Sequence, residues 1–252
     1  MIASIVAIAR AAGARIMEIY AQDFTVEMKE DRSPLTQADR EANAIILEGL
    51  EACDPGIPRI SEETKLIPYA IRRDWPSYWL IDPLDGTKEF IKKNGEFTVN
   101  IARVENGKPV MGVVYLPARN ICYYADGQGA FRADEQGRIT PLRKGPSYLT
   151  LQKIRVVASR SHLDEHTMNF VENLKQAGKE VEFVSSGSSI KFCLVADGSA
   201  DVYPRFAPTM EWDTAAGQAV VELAGGRVLQ AQSREPLLYN KENLLNPFFI
   251  VE

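Results

Sequence analysis

The spacing of apolar residues changes near the middle of the chain, and this change restricts the fold more than any other feature. Between Tyr78 and Phe131, apolar side chains alternate with polar ones, and Asn106-Gly107 separates two such runs as a hairpin turn. From Ile154 onward, patterns typical of strands and of helices follow one another. We expect strands at 154–158, 181–184 and 200–203 and near 228 and 248, and helices at 163–177, 189–196 and 213–224. The sequence therefore predicts an α/β (α+β) fold, a layered αβαβα sandwich with an N-terminal antiparallel sheet half and a C-terminal mixed α/β half.

The polar segment 132–152 is the predicted boundary between the halves, which we place at 1–146 and 147–252. The first half opens with an amphipathic helix over about 2–21. Its apolar face is formed by Ile5, Ala9, Ala12, Ile16 and Ile19. A strand near 24–28 follows, and Thr36 is typical of the N-cap of a second helix that carries Asp39 in its first turn.

Composition argues against several classes of partner. The 252 residues carry a formal net charge of -5 and no long run of lysine or arginine, which argues against binding to a nucleic acid polymer. The three cysteines form no CxxC pair, a usage typical of a reducing compartment. No stretch approaches the roughly 20 apolar residues of a membrane span, so we expect no integral membrane contact. The expected location is cytoplasmic, with peripheral contact at the cytoplasmic side of the inner membrane left open.

Acidic residues stand at the ends of several predicted elements. Asp82 and Asp85 bracket a proline directly after the apolar run 79–81, and Gly86-Thr87 then begins a short helix. Two further acids stand at element ends, namely Glu62 and Asp213. Oxygen ligands suit Mg²⁺, whereas a chain with only two histidines offers little for zinc. Each acid alone is also typical of a helix cap or a turn, but together they predict a Mg²⁺ site beside a phosphate.

The segment Asp82-Pro83-Leu84-Asp85-Gly86-Thr87 resembles the DPxDGT motif of the lithium-sensitive, Mg²⁺-dependent inositol monophosphatase superfamily. Glu62-Glu63 is similar to the upstream acidic pair of that superfamily, and 212–217 is similar to its downstream WDxAAG element. The order and spacing agree over nearly the whole chain. The closer likeness is to the CysQ branch, the 3'(2'),5'-bisphosphate nucleotidases, and it rests on the segments 87–90, 95–101, 159–162, 187–193 and 203–205.

This resemblance implies a phosphomonoester hydrolase that uses two or three Mg²⁺ ions. The metal ligands it implies are the carboxylates of Glu62, Asp82, Asp85 and Asp213 and the backbone carbonyl of Leu84. Asp39 and Thr87 would orient and deprotonate the attacking water, and Glu62 would share in catalysis. The N-terminal half would then carry most of the ligands and the C-terminal half the last one. Inhibition by Li⁺ and a role in sulfur assimilation are further implications.

The C-terminal half is expected to select the substrate. By the same resemblance, the adenosine 5'-phosphate would be held by His162, Ser188, Lys191 and Arg205. Further substrate contacts are expected from Asp85, Gly86, Thr87 and Asp213. The predicted reaction is hydrolysis of adenosine 3',5'-bisphosphate to AMP and phosphate by a metal-activated water.

Three alternatives stay open at the level of sequence. An inositol monophosphatase or sugar phosphatase would use the same scaffold, although Ser61 and Lys88-Glu89-Phe90 differ from the usual residues of the inositol enzymes. A catalytically silent nucleotide-binding regulator would have no need of metal ligands. The segment 162–166 matches the short HxxEH pattern of zinc proteases, but no third ligand is evident.

Overall fold

A computed structural model describes residues 1–28, 34–158 and 164–252. Within these ranges the helices are α1 (Ile2–Tyr20), α2 (Gln37–Cys53), α3 (Tyr69–Arg72), α4 (Thr87–Ile91), α5 (Glu165–Gln176), α6 (Ile190–Ala196) and α7 (Glu211–Leu223). The strands are β1 (Val26–Met28), β2 (Pro34–Thr36), β3 (Arg59–Ser61), β4 (Ser77–Asp85), β5 (Thr98–Glu105), β6 (Lys108–Leu116), β7 (Ile121–Asp126), β8 (Gly129–Ala133), β9 (Ile139–Pro141), β10 (Lys153–Ala158), β11 (Glu180–Ser185), β12 (Tyr203–Arg205), β13 (Val228–Gln230) and β14 (Phe249–Val251).

The largest sheet has the strand order β3-β4-β5-β6-β7-β8-β9. Strand β3 pairs in parallel with β4, and every later pair is antiparallel. The predicted hairpin turn is confirmed: Asn106 and Gly107 both have positive φ, at 49° and 75°, between the paired residues Glu105 and Lys108. Two consecutive residues with positive φ match the twist of antiparallel strands, which is why Asn-Gly suits this position.

Helices α1 and α2 cover one face of this sheet. The predicted apolar face of α1 is confirmed, since Ile5, Ala9, Ala12, Ile16 and Ile19 are all buried. They pack with residues of β4 and β5 such as Trp79 and Ile101. Thr36 is the N-cap of α2 as predicted, because its side chain accepts a hydrogen bond from the Ala38 N–H.

Helices α6 and α7 cover the opposite face of the large sheet. Cys193, Val220 and Val221 share a buried cluster with Leu80 and Val114 of the sheet. The approach of α7 is close at Gly112 of β6, where a Cβ atom would lie 2.5 Å from the Ala216 carbonyl oxygen. Any larger residue at position 112 would push α7 away from the sheet and move the acid at its start.

Strands β10 to β14 form a further layer, which α5 covers on its outer side, while β1 and β2 pair separately. Strands β10 and β11 pair in parallel, and β12, β14 and β13 form an antiparallel sheet in that order. A single parallel bridge between Val156 and Val202 joins the two groups. The layers therefore run α1 and α2, large sheet, α6 and α7, smaller sheets, α5, and the predicted αβαβα sandwich with a mixed C-terminal half is confirmed.

Several predicted boundaries were displaced. The strand expected at 200–203 lies at Tyr203–Arg205; before it, Val202 forms an isolated bridge with Val156, and the Asp201 carboxylate accepts the Arg155 N–H at 2.7 Å. The helix expected at 213–224 begins two residues earlier, at Glu211. The segment 132–152 contains β9 and a 3₁₀ turn at Tyr148–Thr150, and the division of the chain at 146/147 stays a prediction.

Among the described helices, none has the length and apolar character needed to cross a bilayer.

Candidate active site

A cavity of about 400 Å³ opens where β4 ends, and several of the predicted metal ligands line it. Carboxylate oxygens of Glu62, Asp82 and Asp213 all lie within 4.8 Å of one another. The full lining is Glu62, Asp82, Leu84, Asp85, Gly86, Thr87, Lys88, Glu89, Pro208, Thr209, Met210, Asp213 and Leu245. Residues separated by about 150 positions in the sequence thus form one acidic site.

The parallel pairing of β3 and β4 determines the position of Glu62. Because β3 and β4 are parallel neighbours, their carboxyl ends reach the same edge of the sheet. Glu62 follows β3 directly, and its N–H donates to the Ile81 carbonyl at 3.1 Å, so it lies beside Asp82.

A shift of register in β4 places Asp85. Asp82 pairs with Asn100, but Asp85 pairs with Thr98, so three steps along β4 match two along β5. In a regular strand, residues three apart point to opposite faces, whereas one extra residue turns both toward the same side. Both aspartates line the cavity for this reason.

Burial and mutual repulsion raise the pKa of two of these carboxyl groups. The pKa of Asp82 is raised well above its usual range, first by burial and then by the nearby charges of Glu62 and Asp85. Burial and Asp85 likewise raise the pKa of Asp213. A divalent cation would offset this repulsion, and oxygen donors suit a hard cation. The residues present therefore fit a divalent metal ion.

The predicted pair Asp39 and Thr87 is brought together. Thr87 Oγ1 donates to Asp39 Oδ1 at 3.2 Å, although 48 residues separate them. The other oxygen, Asp39 Oδ2, accepts the Thr36 N–H at 2.7 Å and the Thr36 hydroxyl at 2.6 Å. Thr36 thus fixes the carboxylate of Asp39 so that Oδ1 faces Thr87. The sequence indicated Thr36 only as a helix cap, and its second role was missed.

Asp85 lines the cavity but does not belong to the compact group of three acids. Its Oδ2 accepts hydrogen bonds from the Ser188 hydroxyl at 2.8 Å and from the N–H and hydroxyl of Ser189, both at 2.6 Å. Asn100 Nδ2 in turn donates to Ser189 Oγ at 2.8 Å. Sequence reasoning did not predict that Ser189 contacts Asp85 and Asn100, because no pattern within either segment indicates that they meet.

A second cavity of about 220 Å³ adjoins the first and shares Asp85, Gly86, Glu89, Thr209 and Asp213 with it. Lys191 and Arg205 both line it, as predicted for a phosphate. Lys191 Nζ donates to the Ser188 carbonyl at 2.7 Å, and burial lowers the pKa of its ammonium group to about 8. The Arg205 Nε atom is buried and has no hydrogen-bond partner within the described residues. Two cations and an unsatisfied donor favour an anion here.

His162 lies outside the described residues, so its predicted role stays a prediction. The other histidine of the HxxEH pattern, His166, is exposed and contacts the rings of Phe206 and Phe248. The cluster of potential metal ligands found in the described ranges includes no histidine.

The comparisons with known proteins agree with this geometry. The model of the inositol monophosphatase family matches residues 1–247. The chain belongs to the inositol monophosphatase family. A protein of Salmonella typhimurium named 3'(2'),5'-bisphosphate nucleotidase CysQ is 47% identical over 253 residues, covering 100% of this chain and 99% of its own. The Escherichia coli K12 protein of the same name is 45% identical over 254 residues, with the same coverage.

Solved structures of inositol monophosphatase family members share the fold. The crystal structure of CysQ from Bacteroides thetaiotaomicron, described as a bacterial member of the family, has a TM-score of 0.85 and 48% identity and covers 99% of this chain and 95% of its own. Both the predicted superfamily and the likeness to its CysQ branch are confirmed. Members of the family are metal-dependent phosphatases, so the acidic cavity is the candidate centre of a phosphatase.

Proposed function

We propose that this protein is a 3'(2'),5'-bisphosphate nucleotidase that hydrolyses adenosine 3',5'-bisphosphate to AMP and phosphate. The observation that carries the proposal is the pair of adjoining cavities that meet at Asp85 and Gly86: the first holds the cluster of acids, and the second adds Lys191 and Arg205 to the acids that it shares with the first. A substrate with two phosphates would place the scissile one in the acidic cavity and the other beside Lys191 and Arg205. The names of the curated relatives support the same substrate class.

The residues that would hold Mg²⁺ are the carboxylates of Glu62, Asp82, Asp85 and Asp213 and the carbonyl of Leu84. Two or three Mg²⁺ ions are proposed, because the four carboxylates carry more negative charge than one divalent ion offsets. When bound, such ions lower the pKa of a water molecule and stabilise the charge that develops on the leaving oxygen.

Asp39 and Thr87 would hold the attacking water. The Thr87 hydroxyl hydrogen is directed to Asp39 Oδ1 at 3.2 Å, which leaves lone pairs of Thr87 Oγ1 to accept a hydrogen bond from water in the cavity. As the water attacks, its proton can pass to Thr87 Oγ1 while the threonine proton moves to Asp39 Oδ1. No covalent intermediate is needed, since positioning and charge stabilisation carry most phosphoryl-transfer catalysis.

Gly86 would give the scissile phosphate room to approach the backbone. Its φ of 94° is left-handed, and an added Cβ would lie 3.2 Å from the Glu96 carbonyl oxygen and 3.3 Å from Ser188 Cβ. A side chain at position 86 would therefore be strained and would also project into the junction of the two cavities.

Ser188, Lys191 and Arg205 would bind the 5'-phosphate, with His162 as a further predicted contact. The buried Arg205 Nε has no hydrogen-bond partner among the described residues, while its Nη2 donates to the Pro208 carbonyl at 3.3 Å, so a phosphate oxygen in this cavity could accept from Nε. An anion would also stabilise the charged form of Lys191 against its burial. The cytoplasmic location of the reaction stays a prediction of the sequence.

The test is phosphate release from adenosine 3',5'-bisphosphate and from inositol 1-phosphate, each with Mg²⁺ and with EDTA. We expect Mg²⁺-dependent release chiefly from the nucleotide, because inositol 1-phosphate has no second phosphate to bind beside Lys191 and Arg205 in the second cavity. Preferred release from inositol 1-phosphate would keep the metal site and overturn the substrate. No release from either substrate would favour the silent nucleotide-binding regulator.

A further inference from the structure

The two oxygens of the Asp85 carboxylate have different surroundings. Oδ2 accepts three hydrogen bonds of 2.6–2.8 Å from Ser188 and Ser189, and Asn100 Nδ2 lies 3.5 Å away. Oδ1 has no hydrogen-bond partner within the residues that the structure describes. Such a division leaves one oxygen for a ligand and uses the other to set the rotation of the group.

Ser189 is the residue at which these contacts converge. It is the N-cap of α6 and is only 2% exposed. Its Oγ lies 2.6 Å from Asp85 Oδ2, 2.8 Å from the Asp213 carbonyl oxygen and 2.8 Å from Asn100 Nδ2. One hydroxyl thus contacts a carboxylate of the first half of the chain and the first turn of α7 in the second half.

Asn100 determines which acceptor the hydrogen of the Ser189 hydroxyl binds. Its amide donates to Ser189 Oγ and occupies a lone pair there, so the single hydroxyl hydrogen must point to an acceptor. The two acceptors in reach are the charged Asp85 Oδ2 and the neutral Asp213 carbonyl. Hydrogen bonds to an ionised acceptor are about twice as strong as neutral ones, so the hydrogen points to Asp85.

We propose that Ser189, supported by Asn100, is a positioning residue that turns Asp85 Oδ1 toward the metal cavity. The inference rests on the proposed function only in taking Asp85 as a metal ligand. Ser188 is a less selective test of the same effect, because its hydroxyl also contacts Thr98 and Ser188 is itself a predicted ligand of the 5'-phosphate.

The expected change in Mg²⁺ affinity depends on which hydrogen bonds to Asp85 remain after the Ser189 hydroxyl is removed. Partners that orient metal ligands typically change metal affinity by about 10- to 100-fold. In Ser189→Ala, the Ser189 N–H and the Ser188 hydroxyl still hold Oδ2. We therefore expect the lower end, a rise of about tenfold in the Mg²⁺ dissociation constant.

The experiment measures Mg²⁺ binding to the nucleotide-free protein by calorimetry and Mg²⁺ activation of hydrolysis in parallel. The variants are Ser189→Ala, Asn100→Ala and the double variant. Ser189→Ala should weaken Mg²⁺ binding while leaving the KM of the nucleotide at saturating Mg²⁺ within about twofold. Asn100→Ala should weaken binding by a smaller factor, and most of this effect should be lost in the Ser189→Ala background, because Asn100 contacts the Ser189 hydroxyl at 2.8 Å and Asp85 Oδ2 only at 3.5 Å.

Tyr123→Phe is the matched control. It removes a hydroxyl that donates to a carboxylate, Asp197 Oδ2 at 2.9 Å, outside both cavities. It should leave Mg²⁺ affinity unchanged. Unfolding temperatures of the metal-free variants separate a loss of fold from a loss of metal affinity, and Asn100→Ala carries the test if Ser189→Ala fails to fold.

Unchanged Mg²⁺ affinity in Ser189→Ala, or fully additive effects of the two substitutions, would overturn the inference. The proposed function is tested by a different result. If the wild-type protein binds Mg²⁺ but releases no phosphate from the nucleotide, the proposed function fails, while weaker binding by Ser189→Ala would still support this inference.

Discussion

Replacing Lys191 with methionine tests how the second cavity selects a substrate with two phosphates. Lys191 is 7% exposed, and methionine keeps an unbranched apolar stem while removing the charge. Truncating one partner of a buried, hydrogen-bonded charge pair costs about 2–5 kcal/mol. Because Arg205 and Ser188 would still hold the phosphate, we expect about 2 kcal/mol, which is about a 30-fold loss of kcat/KM.

The assay compares adenosine 3',5'-bisphosphate with adenosine 3'-monophosphate, which lacks the 5'-phosphate. We expect Lys191→Met to lower kcat/KM for the bisphosphate about 30-fold and for the monophosphate less than about threefold. Lys144→Met is the matched control, since burial also lowers the pKa of Lys144 but this lysine lines a separate cavity. Equal losses on both nucleotides would refute the assignment of the second phosphate to this cavity.

The same lysine gives the reaction a pH signature. Burial lowers the pKa of Lys191 to about 8, so the ammonium group loses its proton as the pH rises through 8 in the free enzyme. Since kcat/KM reports the free enzyme, its value for the bisphosphate should fall by up to about tenfold per pH unit above this pKa. This decrease should be absent with the monophosphate and in Lys191→Met.

Three further substitutions test the acidic cavity. Asp39→Asn should lower kcat by about 10²- to 10⁴-fold while Mg²⁺ affinity measured by calorimetry is kept, because it removes only the proton acceptor. Thr36→Val should lower kcat by a smaller factor and the unfolding free energy by about 1 kcal/mol, since it removes a helix cap together with the hydroxyl that orients Asp39. Asp82→Asn should raise the unfolding temperature of the metal-free protein by about 3 °C for each kcal/mol of repulsion removed. The same substitution should abolish the increase in unfolding temperature that Mg²⁺ gives the wild-type protein. The sign follows from the raised pKa of Asp82: a carboxyl group whose pKa is higher in the folded state destabilises the metal-free fold at any pH above its unfolded pKa, so a lower unfolding temperature in Asp82→Asn would contradict it.

Periodicity predicted the layers of the fold well because burial follows local spacing. The apolar face of α1 and the Asn106-Gly107 turn were both readable from consecutive residues. Boundaries were less predictable because they depend on contacts between distant segments. The strand expected at 200–203 begins three residues late, after an isolated bridge at Val202 and a side-chain contact from Asp201 to the Arg155 N–H.

The candidate site was predictable in its residue types but not in its contacts. Spacing and resemblance indicated the acids, and strand order explains why Glu62 and Asp82 meet. No local pattern indicates that Ser189 Oγ lies between Asp85 and Asn100, since 104 and 89 residues separate these pairs. Such contacts depend on how two halves of a chain pack together, which local spacing does not encode.

Contacts between the two halves of the chain help to hold the acids of the cavity in place. Burial and, second to it, repulsion by neighbouring carboxylates disfavour the ionised forms of Asp82 and Asp213, and the raised pKa values record that cost. Hydrogen bonds from Ser188 and Ser189 to Asp85, and from the Met210 N–H to Asp213 at 2.8 Å, hold two of the acids in position. The protein thereby keeps the carboxylates close enough to bind a divalent ion, and the ion in turn removes the repulsion. Stability and metal affinity are therefore linked at this site, and substitutions that relieve the repulsion are expected to stabilise the fold while they remove activity.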